Sequence, residues 1–132
     1  MHPLSVLIAD DDPLICRYLK STLIHMGHRA EVVMHGAAAV GMMRARPYDV
    51  VLMDYHMPTV DGITATQIIR SEPLTRQPRI VAISGETSAI YRRACLAAGV
   101  DGFITKPLMR HDLELMFERL YPSAAPATAP ML

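Results

Sequence analysis

The sequence predicts an α/β fold: a parallel sheet, doubly wound, with helices on both faces. Three observations carry that expectation. Five short apolar runs alternate with longer amphipathic segments, the pattern that parallel strands joined by crossover helices require. The central run, Val50-Val51-Leu52-Met53, is continuously apolar, as befits a strand covered on both faces. The chain has 132 residues, 51% of them hydrophobic, which suffices for one domain with a sizeable core and is too short for two.

The first strand is expected over 6–9 and runs into three acids, Asp10, Asp11 and Asp12. Asp12-Pro13 supplies a helix cap followed by proline at the first helical position, where its missing N–H costs nothing. Ile15, Leu19, Leu23 and Met26 recur at helical spacing, and Gly27 follows where a C-terminal glycine belongs. A shorter strand over 30–34 precedes an alanine- and methionine-rich helix over 36–45, stopped ahead of Pro47. Strand 50–53 ends at Asp54, and a loop with proline and glycine leads to a helix near 63–70. Strand 80–83, helix 87–98 with Gly99 behind it, strand 102–105 and helix 108–121 complete the alternation. Residues 1–121 are the expected domain, and 122–132 form a Pro/Ala-rich tail or linker.

Basic and acidic residues number 13 each, so the formal net charge is zero, which argues against a nucleic-acid grip. Cys16 and Cys95 are too few for a disulfide framework and suit a reduced, cytoplasmic setting. The N-terminus lacks a signal-peptide pattern, and no apolar run approaches the roughly 18 residues of a membrane span.

In open parallel sheets, chemistry gathers beyond the carboxyl ends of the strands. There the sequence places Asp10 and Asp11 after the first strand, Asp54 after the third, Ser84 after the fourth and Lys106-Pro107 after the fifth. Three carboxylates together are unfavourable unless a cation compensates them or one takes a proton. A small hard cation with oxygen ligands fits, and Mg²⁺ is the natural candidate. Three acids, Mg²⁺ and Lys106 together approach neutrality, leaving metal, lysine and hydroxyl to meet the charge of an incoming phosphoryl group. Phosphoryl transfer to a carboxylate is mostly positioning and charge neutralisation. Asp54 is the expected nucleophile, because it ends the most buried strand at the centre of the crevice.

Four motifs, Ile8-Ala9-Asp10-Asp11-Asp12-Pro13-Leu14, the run Leu52 to Gly62, Ser84-Gly85 and Lys106-Pro107, in this order and at these separations, resemble the receiver domain of two-component response regulators. The resemblance covers about residues 4–121 and implies a flavodoxin-like (βα)5 fold with strand order 2-1-3-4-5. It implies Asp54 as phosphoacceptor, Asp11 as a direct Mg²⁺ ligand, and Asp10 as holder of metal-bound water. The backbone carbonyl of His56 would complete the protein's share of coordination. Ser84 would bond the phosphoryl oxygen and Lys106 would pair with it across a cis Lys106-Pro107 bond. Phe103 falls where the family has an aromatic switch, often tyrosine, so the ring is kept and a hydroxyl lost. Glu86 and His56 occupy positions that tune phosphoryl lifetime in the family.

Met57 to Thr66, with Ile69-Arg70 and Cys95-Leu96-Ala97-Ala98-Gly99, resembles receivers of hybrid histidine kinases and phosphorelays. The partner implied is a histidine kinase or a histidine phosphotransfer domain. Output would pass through the face of the fourth helix, fifth strand and fifth helix, with self-catalysed phosphorylation and hydrolysis and no ordinary enzymatic turnover. Leu14 and Tyr18, one helical turn apart and off the core stripe, suit either a docking patch for the donor helix or a partly covered surface pair.

Other residues have plainer readings. Asp12 is a cap, Asp61-Gly62 and Asp101-Gly102 are turns, and Asp49 is an acid at the start of a strand. His2, His25, His28, His35 and His111 lack metal-ligand spacing, and the ten methionines fill core gaps. Three rival functions remain. A Mg²⁺-dependent phosphatase with an aspartyl-phosphate intermediate would want a second acid where His56 stands. A flavin or nucleotide binder would want a Gly-, Ser- or Thr-rich loop where the three aspartates stand. A receiver-like scaffold that is never phosphorylated would share the fold alone.

Overall fold

A computed structural model describes residues 2–122. The elements are β1 (Ser5–Ala9), α1 (Pro13–His25), β2 (Arg29–Val33), α2 (Gly36–Ala45), β3 (Val50–Asp54), α3 (Gly62–Ser71), β4 (Arg79–Ser84), α4 (Ala89–Ala98), β5 (Gly102–Thr105) and α5 (Arg110–Leu120). All strands are parallel, in the order β2-β1-β3-β4-β5, as the resemblance implies.

The strand alternation of period two divides the core cleanly. Val6, Ile8, Leu52, Val81, Ile83 and Ile104 face α1 and α5, meeting Leu19, Leu23, Leu113 and Phe117. Leu7, Ala9, Val51, Met53, Ile80 and Ala82 face the opposite side, against α2, α3 and α4. Every residue of β3 is buried, whereas β2 at the sheet edge has none fully buried. That difference places Asp54 at the bottom of the crevice.

The helix boundaries follow local chemistry. Asp12 caps α1 through Oδ1, which accepts from Leu14 N at 2.9 Å and Ile15 N at 3.5 Å. Helix α1 stops at His25, with Gly27 at φ +93° behind it, a left-handed residue that glycine adopts without strain. Its buried stripe is Cys16, Leu19 and Leu23, and Ile15 and Met26 are only partly covered. Helix α4 begins at Ala89, two residues later than expected, because the Ser88 hydroxyl accepts from Tyr91 N at 3.1 Å. Helix α5 begins at Arg110, because the Asp112 carboxylate accepts from Met109 N and starts the helix there. The second strand lies one residue earlier than 30–34, paired with β1 from Ser5↔Arg29 to Ala9↔Val33. The Lys106-Pro107 bond is cis. The tail expected at 122–132 lies, apart from Pro122, outside the described residues.

Candidate functional site

Four strands deliver their chemistry to one edge. β1 runs into Asp10, β3 ends at Asp54, β4 ends at Ser84, and β5 leads to Lys106. Asp10, Asp54 and Ser84 are buried to within 4% of full cover, while Asp11 is exposed at the mouth. One carboxylate oxygen from each of Asp10, Asp11 and Asp54 lies within 4.8 Å of the others. Lys106 Nζ stands 2.9 Å from Asp54 Oδ1 and 3.7 Å from Asp10 Oδ2.

Backbone geometry sets this arrangement. Asp10 Oδ1 accepts from Asp12 N at 2.9 Å, which turns its other oxygen towards Lys106. Asp10 N donates to Val33 O, and Lys106 N donates to Ser84 O at 2.9 Å, so both residues are tied to neighbouring strand ends. Gly62 N donates to Tyr55 O, and a Cβ on Gly62 would lie 2.3 Å from Asp54 O. Only glycine lets the start of α3 press against the backbone of the central aspartate. In the loop between them, Thr59 sits at φ 71°, a strained position for a β-branched residue. The Cys16 thiol donates to Asp10 O at 3.1 Å, and burial with the surrounding acids pushes it up to about 11. That thiol is a structural group and not a nucleophile.

Burial raises the carboxyl pKa of Asp54 above its ordinary value, against the pull of Lys106, with Asp11 adding to the rise. Burial likewise raises Asp10, opposed by its bond from Asp12 N and assisted by Asp54. For Lys106 burial works the other way, yet Asp54, Asp10 and Asp11 together hold it above its ordinary value. Asp10 Oδ2 and Asp54 Oδ1 are buried and accept no directed hydrogen bond. Both face Lys106, whose single charge does not balance three carboxylates, and the all-carboxylate donor set of Asp10, Asp11 and Asp54 fits a hard cation such as Mg²⁺.

Ser84 Oγ accepts from Glu86 N at 2.9 Å, which holds the hydroxyl at the rim of the pocket. His56 lies two residues beyond Asp54, exposed, with its ring 4.5 Å edge-on from that of Tyr55. Phe103 is partly buried on β5 and sits among the side chains under α4. Leu14 is 72% exposed and Tyr18 42% exposed, and both line an apolar crevice of about 490 Å³ with Ile15, Leu19, Pro107 and Leu108. The crevice borders Lys106, so it adjoins the acidic pocket.

Two residues near the site and one at the opposite edge of the sheet make contacts that the sequence does not foretell. Tyr91 is buried on α4 with its ring 5.0 Å edge-on from Tyr55 and its hydroxyl without a hydrogen-bond partner. Arg92, next to it, places its guanidinium 5.1 Å from the Phe103 ring centre. Arg70 bridges α3 to the starts of β4 and β5, donating to Gly99 O, Pro78 O and Asp101 Oδ2. Asp101 also accepts from Ile80 N, so the residue expected only to shape a turn clamps two strands. These contacts depend on which helix packs over which strand, and no local motif encodes that.

A doubly wound parallel sheet of order 2-1-3-4-5, with an acidic cluster and a lysine at the carboxyl ends of its strands, is the architecture of a receiver-type domain. The chain belongs to the response regulator receiver domain family, whose model matches residues 6–118. It is 34% identical to the sensor histidine kinase GacS of Pseudomonas protegens over 82% of this chain and 12% of that protein. It is 29% identical to the histidine-protein kinase BarA of Shigella flexneri over 92% of this chain and 13% of the other. The chain therefore spans only about an eighth of these kinases' length. Among solved structures it resembles the receiver domain of a Pseudomonas aeruginosa sensor histidine kinase that has a magnesium ion coordinated in its active site cleft. That likeness has a TM-score of 0.81 and 30% identity over 89% of this chain and 96% of the other. Among the described residues, no helix is long and apolar enough to cross a membrane.

Proposed function

We propose that Asp54 accepts a phosphoryl group from a phosphohistidine, with Ser84 and Lys106 binding the transferred oxygens. The observation that carries this reading is the carboxylate cluster of Asp10, Asp11 and Asp54, one oxygen of each within 4.8 Å of the others, with Lys106 Nζ 2.9 Å from Asp54. Asp11, Asp54 and the His56 carbonyl would hold Mg²⁺, with Asp10 orienting its water, and the ion would supply neutralisation of charge on the phosphoryl oxygens. A carboxylate oxygen of Asp54 forms the new P–O bond as the donor's P–N bond breaks. Lys106 keeps its proton throughout and follows the negative charge from the carboxylate to the phosphoryl oxygen. Ser84 exchanges its rim contact with Glu86 N for a bond to that oxygen. Transfer and later hydrolysis are self-catalysed, one phosphoryl group per domain.

The donor is a histidine kinase or a histidine phosphotransfer domain in the cytoplasm. Its helix docks on Leu14 and Tyr18, and the apolar crevice beside them supports this, because it leads directly to Lys106. Movement of Ser84 draws Phe103 after it and changes the face of α4, β5 and α5, where Ile90 stands 78% exposed. Residues 1–121 act as the receiver and the tail as a linker or end.

The test is incubation with Mg²⁺ and acetyl phosphate, followed by intact-mass measurement. One acid-stable, base-labile phosphate per chain, absent in Asp54→Asn, supports the reading. Multiple turnover of phosphomonoesters points to a phosphatase, and no adduct at all to a scaffold that does not signal by phosphate.

A further inference from the structure

Phe103 differs from a tyrosine by lacking a hydroxyl, so no hydrogen bond from the ring can fix its position. The structure supplies another restraint. Arg92, exposed on the second turn-face of α4, brings its guanidinium carbon 5.1 Å from the centre of the Phe103 ring, within cation–π range. We infer that Arg92 latches Phe103 in its partly exposed position and thereby raises the threshold for switching. The inference rests on the phosphoryl-switch reading above and adds a positioning residue to it.

The sheet register shows what the latch opposes. Ala82 pairs with Phe103 and Ser84 with Thr105, so Phe103 and Ser84 lie diagonally on one face of the β4–β5 pair. The residue directly opposite the ring is an alanine, whose single methyl is a small obstruction between Phe103 and Ser84. When Ser84 moves to the phosphoryl group, the register gives the ring a direction in which to follow. Moving inward takes the ring away from Arg92, whose main chain is held in α4 by its N–H donating to Ser88 O at 3.0 Å. The cation–π contact is then present in one state only, so it biases the equilibrium between them.

Charge gives the inference a distinctive sign. Arg92 is a cation on the domain that binds an anion, so as a mere surface charge its removal would weaken anion binding. As a latch, its removal would strengthen it. The chain contains two phenylalanines, Phe103 and the fully buried Phe117, which makes the ring directly observable.

The experiment labels the protein with 4-fluorophenylalanine and titrates it with beryllofluoride and Mg²⁺ in wild type, Arg92→Gln, Phe103→Leu and the double variant. The latch predicts that Arg92→Gln moves the unliganded Phe103 ¹⁹F resonance towards its beryllofluoride-bound position, with Phe117 unmoved. It also predicts that beryllofluoride affinity rises by about two- to five-fold. In the Phe103→Leu background the Arg92 substitution should add no such gain. Unchanged or weaker binding by Arg92→Gln, with wild type still binding, overturns the latch and leaves the switch reading intact. No binding by wild type overturns the switch reading itself.

Discussion

Lys106 and Asp54 are ion-paired at 2.9 Å although β4 lies between the strands that carry them. Lys106 follows β5 and reaches over the end of β4 to the end of β3. The Lys106 backbone is fixed at the end of β4 by its N–H donating to Ser84 O at 2.9 Å. Replacing the cation exposes what it balances. Lys106→Met leaves Asp10 and Asp54 buried without their counter-charge and should cost about 3–5 kcal/mol at neutral pH. Both carboxyl pKa values would rise further, so the folded state binds protons that the unfolded state does not. The loss should therefore shrink as pH falls towards 5. Urea unfolding of both proteins at two pH values checks it; an equal loss at each would refute the electrostatic account.

Gly62 presses on the backbone of Asp54, where an added Cβ would stand 2.3 Å from the carbonyl oxygen. Gly62→Ala should lower stability by about 2–3 kcal/mol through overpacking. It should also slow phosphorylation by acetyl phosphate, because the obstructing atom is the backbone of the nucleophile. Chemical denaturation and intact-mass kinetics read the two effects separately.

His28 is buried, its Nδ1 accepts from Leu4 N at 3.0 Å, and its ring packs edge-on to Phe117. Burial holds its pKa below the ordinary value. Below the unfolded pKa of about 6.5 the unfolded chain takes a proton that the folded one resists, so stability falls with acidification. The slope is at most about 1.4 kcal/mol per pH unit until the folded group also protonates. His28→Asn should be less stable at pH 8 but should lose this component of the pH dependence. Thermal melts from pH 8 to 5 test it.

The docking patch separates two donors. Leu14→Ala or Tyr18→Ala should cut phosphotransfer from a cognate histidine phosphotransfer protein by about tenfold, as expected for interface anchors. Transfer from acetyl phosphate, which makes no use of the patch, should change less than twofold. Equal effects on both would place these residues in the chemistry instead.

Much of this protein was legible in the residues themselves, because its local signals agree with one another. Apolar runs of four and five, Asp12-Pro13 and Gly27 mark strands, a cap and a stop whose causes are contained within a few residues. The site was legible for a related reason. In a parallel sheet every strand ends on the same edge, so Asp10, Asp54, Ser84 and Lys106 converge once the alternation is recognised. Helices α4 and α5 start two residues later than the sequence predicts, because Ser88 and Asp112 decide them through side-chain bonds that propensity does not register. Tertiary structure alone decided the rest: Asp101 as a clamp held by Arg70, Gly62 against Asp54, and Arg92 over Phe103. Each of these joins residues from different elements, and such contacts are set by how helices pack on the sheet rather than by what surrounds each residue in the chain.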